Sequence, residues 1–252
     1  MQKHQHHEVV MSIFNFFDKK PKIEFYPIIP TLMETCPPDN GKKDFVNIFK
    51  KIKPIKANKD NPFSSETDIR KCPGIVEYFK TGYIIRTWQD LIIKADQNGE
   101  NYNWMSSTTT NSFKDTRLNS VAGLDQEIIH FDKEFFYEYF PRKNTLKHPL
   151  KFFSRWCIKL PKDYGALMLP VWYDNEERFS VIPGILPAGT VEEINPILYW
   201  HELGKETLIK ANTPLVKIVP FKMENYDVVI REMNDGDIAT YNKFSMLKAR
   251  NF

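Results

Sequence analysis

The sequence predicts a mainly β (α+β) fold, an antiparallel sandwich or barrel with a few short helices. Three observations carry this expectation. From about Asp125 to Lys222, short β-branched and aromatic runs alternate with turn signals at close intervals. Seventeen prolines stand against ten glycines, which disfavours long helices. A hydrophobic fraction of 42% with 14% aromatics is ample for a packed core.

The elements follow in order. Residues 1–21 read as a flexible tail, either native or an expression remnant, with His4, His6 and His7 in it. Residues 22–29 alternate as an opening strand ended by Pro30, and 31–40 read as a loop. Phe45, Val46, Ile48, Phe49 and Ile52 have helical spacing behind Asp44 as N-cap. Pro73 suits the first turn of a short helix and Gly82 its stop. Residues 83–94 form a β-branched run, read as one strand bent in its middle. Asn98-Gly99 is a strong hairpin signal, with 102–105 returning. Residues 106–119 lack periodicity and read as a long connection.

Further strands are expected at 127–131, 135–140, 155–160, 166–169, 179–182, 197–200, 207–209 and 215–221, with turns at 161–165 and 211–214. A weak helical pattern covers 237–247. The organisation expected is a tail (1–21), an α+β region (22–119), a β domain (120–225) and a C-terminal extension with weak helix (226–252).

A net charge of +3 neither demands nor excludes nucleic acid, because a footprint needs basic residues on one face. The basic stretch at 50–56 reads as a solvated face, so nucleic acid is not indicated. Cys36, Cys72 and Cys157 are widely spaced and odd in number, which fits neither a zinc knuckle nor a disulfide framework and suggests a reducing setting. No run of about 18 apolar residues occurs, so no membrane helix is expected.

Three stretches resemble a family of functionally uncharacterised proteins of marine bacteriophages. They are KCPGIVEYFKTGYIIRTWQDLII (71–93), WCIKLPKDYGALMLP (156–170), and FSVIPG (179–184) continuing to IKANTPLVKIVPFK (209–222). The last stretch also resembles, more distantly, the closing half of the deoxyuridine triphosphatase (dUTPase) and dCTP deaminase folds. That resemblance implies a β fold and places Gly184, Ile185 and Tyr164 as nucleotide-binding positions. It does not extend to catalysis. Leu186-Pro187 stands where the family has an apolar residue and a carboxylate, and Asn212 and Lys217 replace its Gly and Gln.

For chemistry, His130-Phe131-Asp132 with the distal His201 matches the ligand types of non-haem iron oxygenases, in which i and i+2 side chains of a strand share one metal. No arginine follows His201 closely. Cys157 beside Trp156 reads as an inert strand thiol. Asp174, Glu176, Glu177, Glu192 and Glu193 read as solvated turn acids. Trp88, Trp156, Trp172 and Trp200 read as core.

The leading functional expectation is a phage-encoded non-enzymatic structural, binding or host-interaction protein. It would act in the host cytoplasm or virion, self-associate, partner a virion or host protein, and need no cofactor. The alternatives are a dUTPase-like nucleotide binder that has lost catalysis, and an oxygenase using Fe2+ at His130, Asp132 and His201.

Overall fold

A computed structural model of the chain describes residues 21–40, 46, 50, 72–107, 127–134, 138, 142–172, 176–189 and 191–250. Their strands pair antiparallel throughout, in four small sheets. Sheet one is ordered β1 (Glu24–Pro27), β7 (Trp156–Lys159), β11 (Val191–Glu193). Sheet two is β10 (Gly184–Leu186), β8 (Tyr164–Leu169), β14 (Pro214–Lys222), β2 (Tyr83–Arg86). Sheet three is β5 (Ile128–His130), β6 (Leu150–Phe152), β12 (Ile197–Trp200), β9 (Phe179–Ile182). Sheet four is β13 (Glu206–Ile209), β3 (Leu91–Ala95), β4 (Tyr102–Ser106). Three helices are described: α1 (Leu32–Thr35), α2 (Pro73–Lys80) and α3 (Asp235–Arg250). The fold is thus mostly antiparallel β with few helices, as the sequence predicts.

The period of two sorts side chains between the core and the outside. On β12, Leu198 and Trp200 are buried while Ile197 and Tyr199 are half-buried. On β9, Phe179 and Val181 are buried while Ser180 and Ile182 are not. These inward residues join Leu150, Phe152, Ile158, Ile194, Val216 and Ile218 in one core.

Residues 83–95 are two strands and not one bent strand. The break at 87–90 is where the chain passes from sheet two to sheet four. It is stapled to the turn before β14: the Thr87 hydroxyl donates to the Lys210 carbonyl at 2.8 Å, and the Asp90 carboxylate accepts the Ala211 amide at 2.7 Å. β13 and β14 cross between the same two sheets at this corner. Regions 22–119 and 120–225 therefore interleave, sharing three of the four sheets.

The 96–99 hairpin forms as read. Gly99 has φ +68°, and the Asp96 carboxylate accepts the amides of Glu100 (2.8 Å) and Asn101 (3.1 Å). The sequence reading did not give α1, β6, β10 or β11. Each has three or four residues, too short to display a period. The helix expected at 44–52, the strand at 135–140 and the connection at 106–119 lie mostly outside the described residues; of those described, 46 and 50 are helical as expected, and 138 is helical where a strand was expected.

A buried ion cluster ties the sheets together. Arg155, fully buried with φ +63°, pairs with Glu127 at 3.2 Å and with Glu193 at 3.7 Å, over the Phe153 ring. The second Glu127 oxygen accepts the Trp88 indole N–H at 3.0 Å. Glu193 is thus turned inward, unlike the solvated acid expected, and burial raises its carboxyl despite Arg155.

Candidate functional site

The structure separates the expected iron ligands. β5 ends at His130, which pairs with Leu150, and Leu150 pairs with Leu198. All three therefore face the same side, whereas His201 follows the inward Trp200 and emerges on the other. Two strand spacings, about 10 Å, also intervene. Asp132 lies beyond the strand end and accepts the Glu134 amide at 2.8 Å. His130 Nδ1 meets the Tyr102 hydroxyl at 3.1 Å, and its ring stacks edge-on to His148 at 4.9 Å. Among the described residues, no three His, Cys, Asp or Glu side chains form a metal-holding group.

The positions implied by the nucleotide resemblance are likewise spread out. Gly184 and Ile185 lie on the edge strand β10, opposite Met168 and Leu167 of β8. Tyr164 begins β8, three residues from Leu167, so strand alternation puts it on the face opposite Ile185. Ile185 is exposed.

His201 takes part in a different cluster. Its Nε2 lies 2.9 Å from Ser180 Oγ, and Arg142 Nη1 donates to the same oxygen at 3.0 Å. Arg142 also lies over the Tyr199 ring at 5.2 Å. Burial first, and then the Arg142 charge, hold the His201 imidazole below its ordinary range, which favours the neutral ring. The cluster borders a cleft of about 520 Å³, one wall of which is Trp172. That indole is 61% exposed, so the core reading fails for Trp172, whereas Trp156 and Trp200 are buried. The Cys157 thiol is half-buried and pushed up to about 11 by burial and by Glu193 and Glu192, as an inert thiol should be.

Among the described residues, the most exposed large apolar side chains are in the C-terminal arm. Every residue from Lys222 to Gly236 is exposed, including Val228 (84%), Val229 (76%) and Ile230 (95%). Beyond Lys222, the end of β14, and Met223, whose amide donates to the Asp163 carbonyl at 2.8 Å, the segment joins none of the four sheets. It nevertheless ends in ordered local structure. Asn234 and Asp237 exchange side-chain-to-amide bonds at 2.9 Å, a capping box at the start of α3, and Arg231 pairs with Asp237. Sequence reading passed over Tyr226-Asp227-Val228-Val229-Ile230, although a β-branched run of that kind is a strand signal.

A groove lies between two sheet edges elsewhere on the molecule. β4 borders sheet four and β5 borders sheet three, and Tyr102, Asn103, Trp104, Ile128, Ile129 and His130 line the space between them. β4, with five residues, is the longest edge strand described, and its Met105 is exposed.

No family model matches the chain, and no curated protein matches it. Among solved structures, it is similar to a mutant dUTPase from phage phi11 of Staphylococcus aureus, described with a structural Mg(II) ion. That match has 9% identity and TM-score 0.36, covering 85% of this chain and 99% of that one. It is also similar to the dUTPase of Staphylococcus bacteriophage 80alpha with dUpNHpp, at 8% identity and TM-score 0.32, covering 62% and 78%. At these scores neither likeness carries a residue-by-residue correspondence. No described helix is long and apolar enough to cross a membrane.

Proposed function

We propose that this protein is a phage-encoded, non-enzymatic β-rich assembly module. It works in the virion or against a host protein, as a homo-oligomer joined by its C-terminal arm. The phage origin rests on the resemblance of residues 71–93, 156–170, 179–184 and 209–222. The observation that carries the assembly reading is the bare run Val228-Val229-Ile230.

An extended segment with this exposure has unpaired backbone groups and unburied β-branched side chains, which a strand partner satisfies together. The partner proposed is the groove beside β4 on a second copy. The arm and the groove are different surfaces of one chain, and the arrangement proposed is a closed ring, head to tail, with each arm lying in the next copy's groove.

Magnitudes favour a ring over a single contact. Burying Tyr226, Val228, Val229, Ile230 and Met233 is worth about 1.5–3 kcal/mol each. One association costs on the order of 4–15 kcal/mol, so a lone arm roughly breaks even. In a closed ring every copy both gives and receives an arm, and the last contact comes at little further cost.

The test is light scattering coupled to size exclusion, comparing the full chain with a chain ending at Lys222. The full chain is expected to be a discrete oligomer and the shortened one a folded monomer. A monomeric full chain, or an oligomer that survives loss of the arm, would rule the reading out.

A further inference from the structure

We propose that the cleft beside Ser180 binds a small oxyanion, a carboxylate or phosphomonoester, that carries a planar apolar group. This is independent of the assembly reading, since none of the described residues lining the cleft belongs to the arm or to the β4 groove.

The polar end is built by three elements. Ser180 stands on the outer face of β9, His201 follows β12, and Arg142 reaches over from the chain before β6. The His201 backbone is fixed by its amide donating to the Arg178 carbonyl at 2.9 Å. Arg142 uses Nη1 on Ser180 and sits over the Tyr199 ring, so its fork is held in place toward the cleft. Guanidinium and hydroxyl together suit an oxyanion, one by its paired donors and the other by a single rotatable one.

The charge balance agrees. Among the described residues, half-buried Glu176 at the cleft is met by Arg178 through Nε at 2.8 Å and Nη2 at 2.5 Å, and Glu202, whose charge reaches His201, is paired with Lys205, which leaves each little field to repel an anion. Glu177 is exposed at the rim and screened by water.

The other end is apolar and rigid. Pro170, Val171 and Leu215 form the wall beside the Trp172 indole. The Tyr78 hydroxyl pins this wall to α2, donating to the Pro170 carbonyl at 2.7 Å and accepting the Trp172 amide at 3.1 Å. An exposed indole on an anchored backbone offers a stacking surface at low ordering cost.

Titration calorimetry on the full chain tests this with phenyl phosphate and phenylacetate, against benzylamine and inorganic phosphate. At least one aromatic oxyanion is expected to bind, and the tighter of the two identifies the headgroup; benzylamine is expected not to bind. Arg142→Gln should weaken binding at least tenfold, Ser180→Ala and Trp172→Ala several-fold, with unchanged melting temperatures because all three side chains lie outside the core. The proposal is overturned if neither aromatic oxyanion binds at about 5 mM. It is equally overturned if Arg142→Gln and Ser180→Ala bind like the parent, or if inorganic phosphate binds as tightly as phenyl phosphate.

Discussion

Lys217 Nζ lies 4.0 Å from the centroid of the Tyr78 ring and donates to the Tyr78 carbonyl, which places a buried ammonium between sheet two and α2. Burial pushes this amine down to about 8. Between pH 8 and an ordinary lysine value of about 10.4, the unfolded chain therefore holds more protons than the folded one. Stability from this group rises with pH across that window, and the full penalty applies below it.

Lys217→Met removes the penalty. It should raise stability at pH 7 by roughly 1–3 kcal/mol. Thermal melts of both chains from pH 7 to 10.5 check this, since subtraction cancels the raised Cys36 and Cys157 thiols. A less stable variant at pH 7 would mean that the contacts with Tyr78 outweigh desolvation.

Glu127 and Arg155 predict a non-additive pair. Replacing Glu127 by Leu leaves the Arg155 charge buried without its closest described carboxylate, at a cost of roughly 3–5 kcal/mol. The double change Glu127→Leu with Arg155→Met should cost clearly less than Glu127→Leu, because the fully buried guanidinium goes with it and Glu193, whose carboxyl burial already raises, can take up a proton in its place. Urea unfolding of the two single variants and the double variant measures the coupling.

Gly82 has φ +80°, and a Cβ built there falls 2.4 Å from the Ile218 carbonyl oxygen. Both the conformation and the contact oppose a side chain. Gly82→Ala should destabilise by roughly 2–3 kcal/mol in a urea melt, whereas Gly74→Ala, with nothing within 4 Å, should change little.

The arm-and-groove contact predicts a specific cross-link. In a Cys72→Ser background, which removes the exposed thiol, Met105→Cys and Val229→Cys should form a disulfide between chains under mild oxidation. Mixing two chains with one cysteine each should give the linked dimer, while either alone should not. A bond within one chain would show the arm folding back on its own groove.

A second consequence concerns the arm's own order. Asn234→Ala removes the side chain that caps α3, at about 1 kcal/mol of local helix stability. Amide exchange across 235–243 should speed up, with the melting of the β body unchanged.

Much of the fold was legible in local signals. Phe179–Ile182 and Ile197–Trp200 stand where alternation put them, and the hairpin signalled by Asn98-Gly99 forms, with Gly99 at positive φ in a six-residue loop between Ala95 and Tyr102. The stretch resembling a dUTPase-type closing strand became most of β14. Of the three-residue strands only β5 was legible, within the strand expected at 127–131; Leu150–Phe152 becomes a strand only through its neighbours β5 and β12.

The site residues divide along the same line. The sequence by itself determined residue types, period and turns, because these depend on neighbours a few positions apart. It could name His130, Asp132 and His201 as metal-ligand types, but strand register set His130 and His201 on opposite faces, and Asp132 falls beyond the strand end. Only the tertiary structure brought Arg142 and Ser180 to His201, turned Glu193 toward Arg155, and left Val228 to Ile230 bare. Convergence and exposure are properties of the packed chain: a side chain's partners come from strands distant in sequence, and no local pattern encodes which of them will meet.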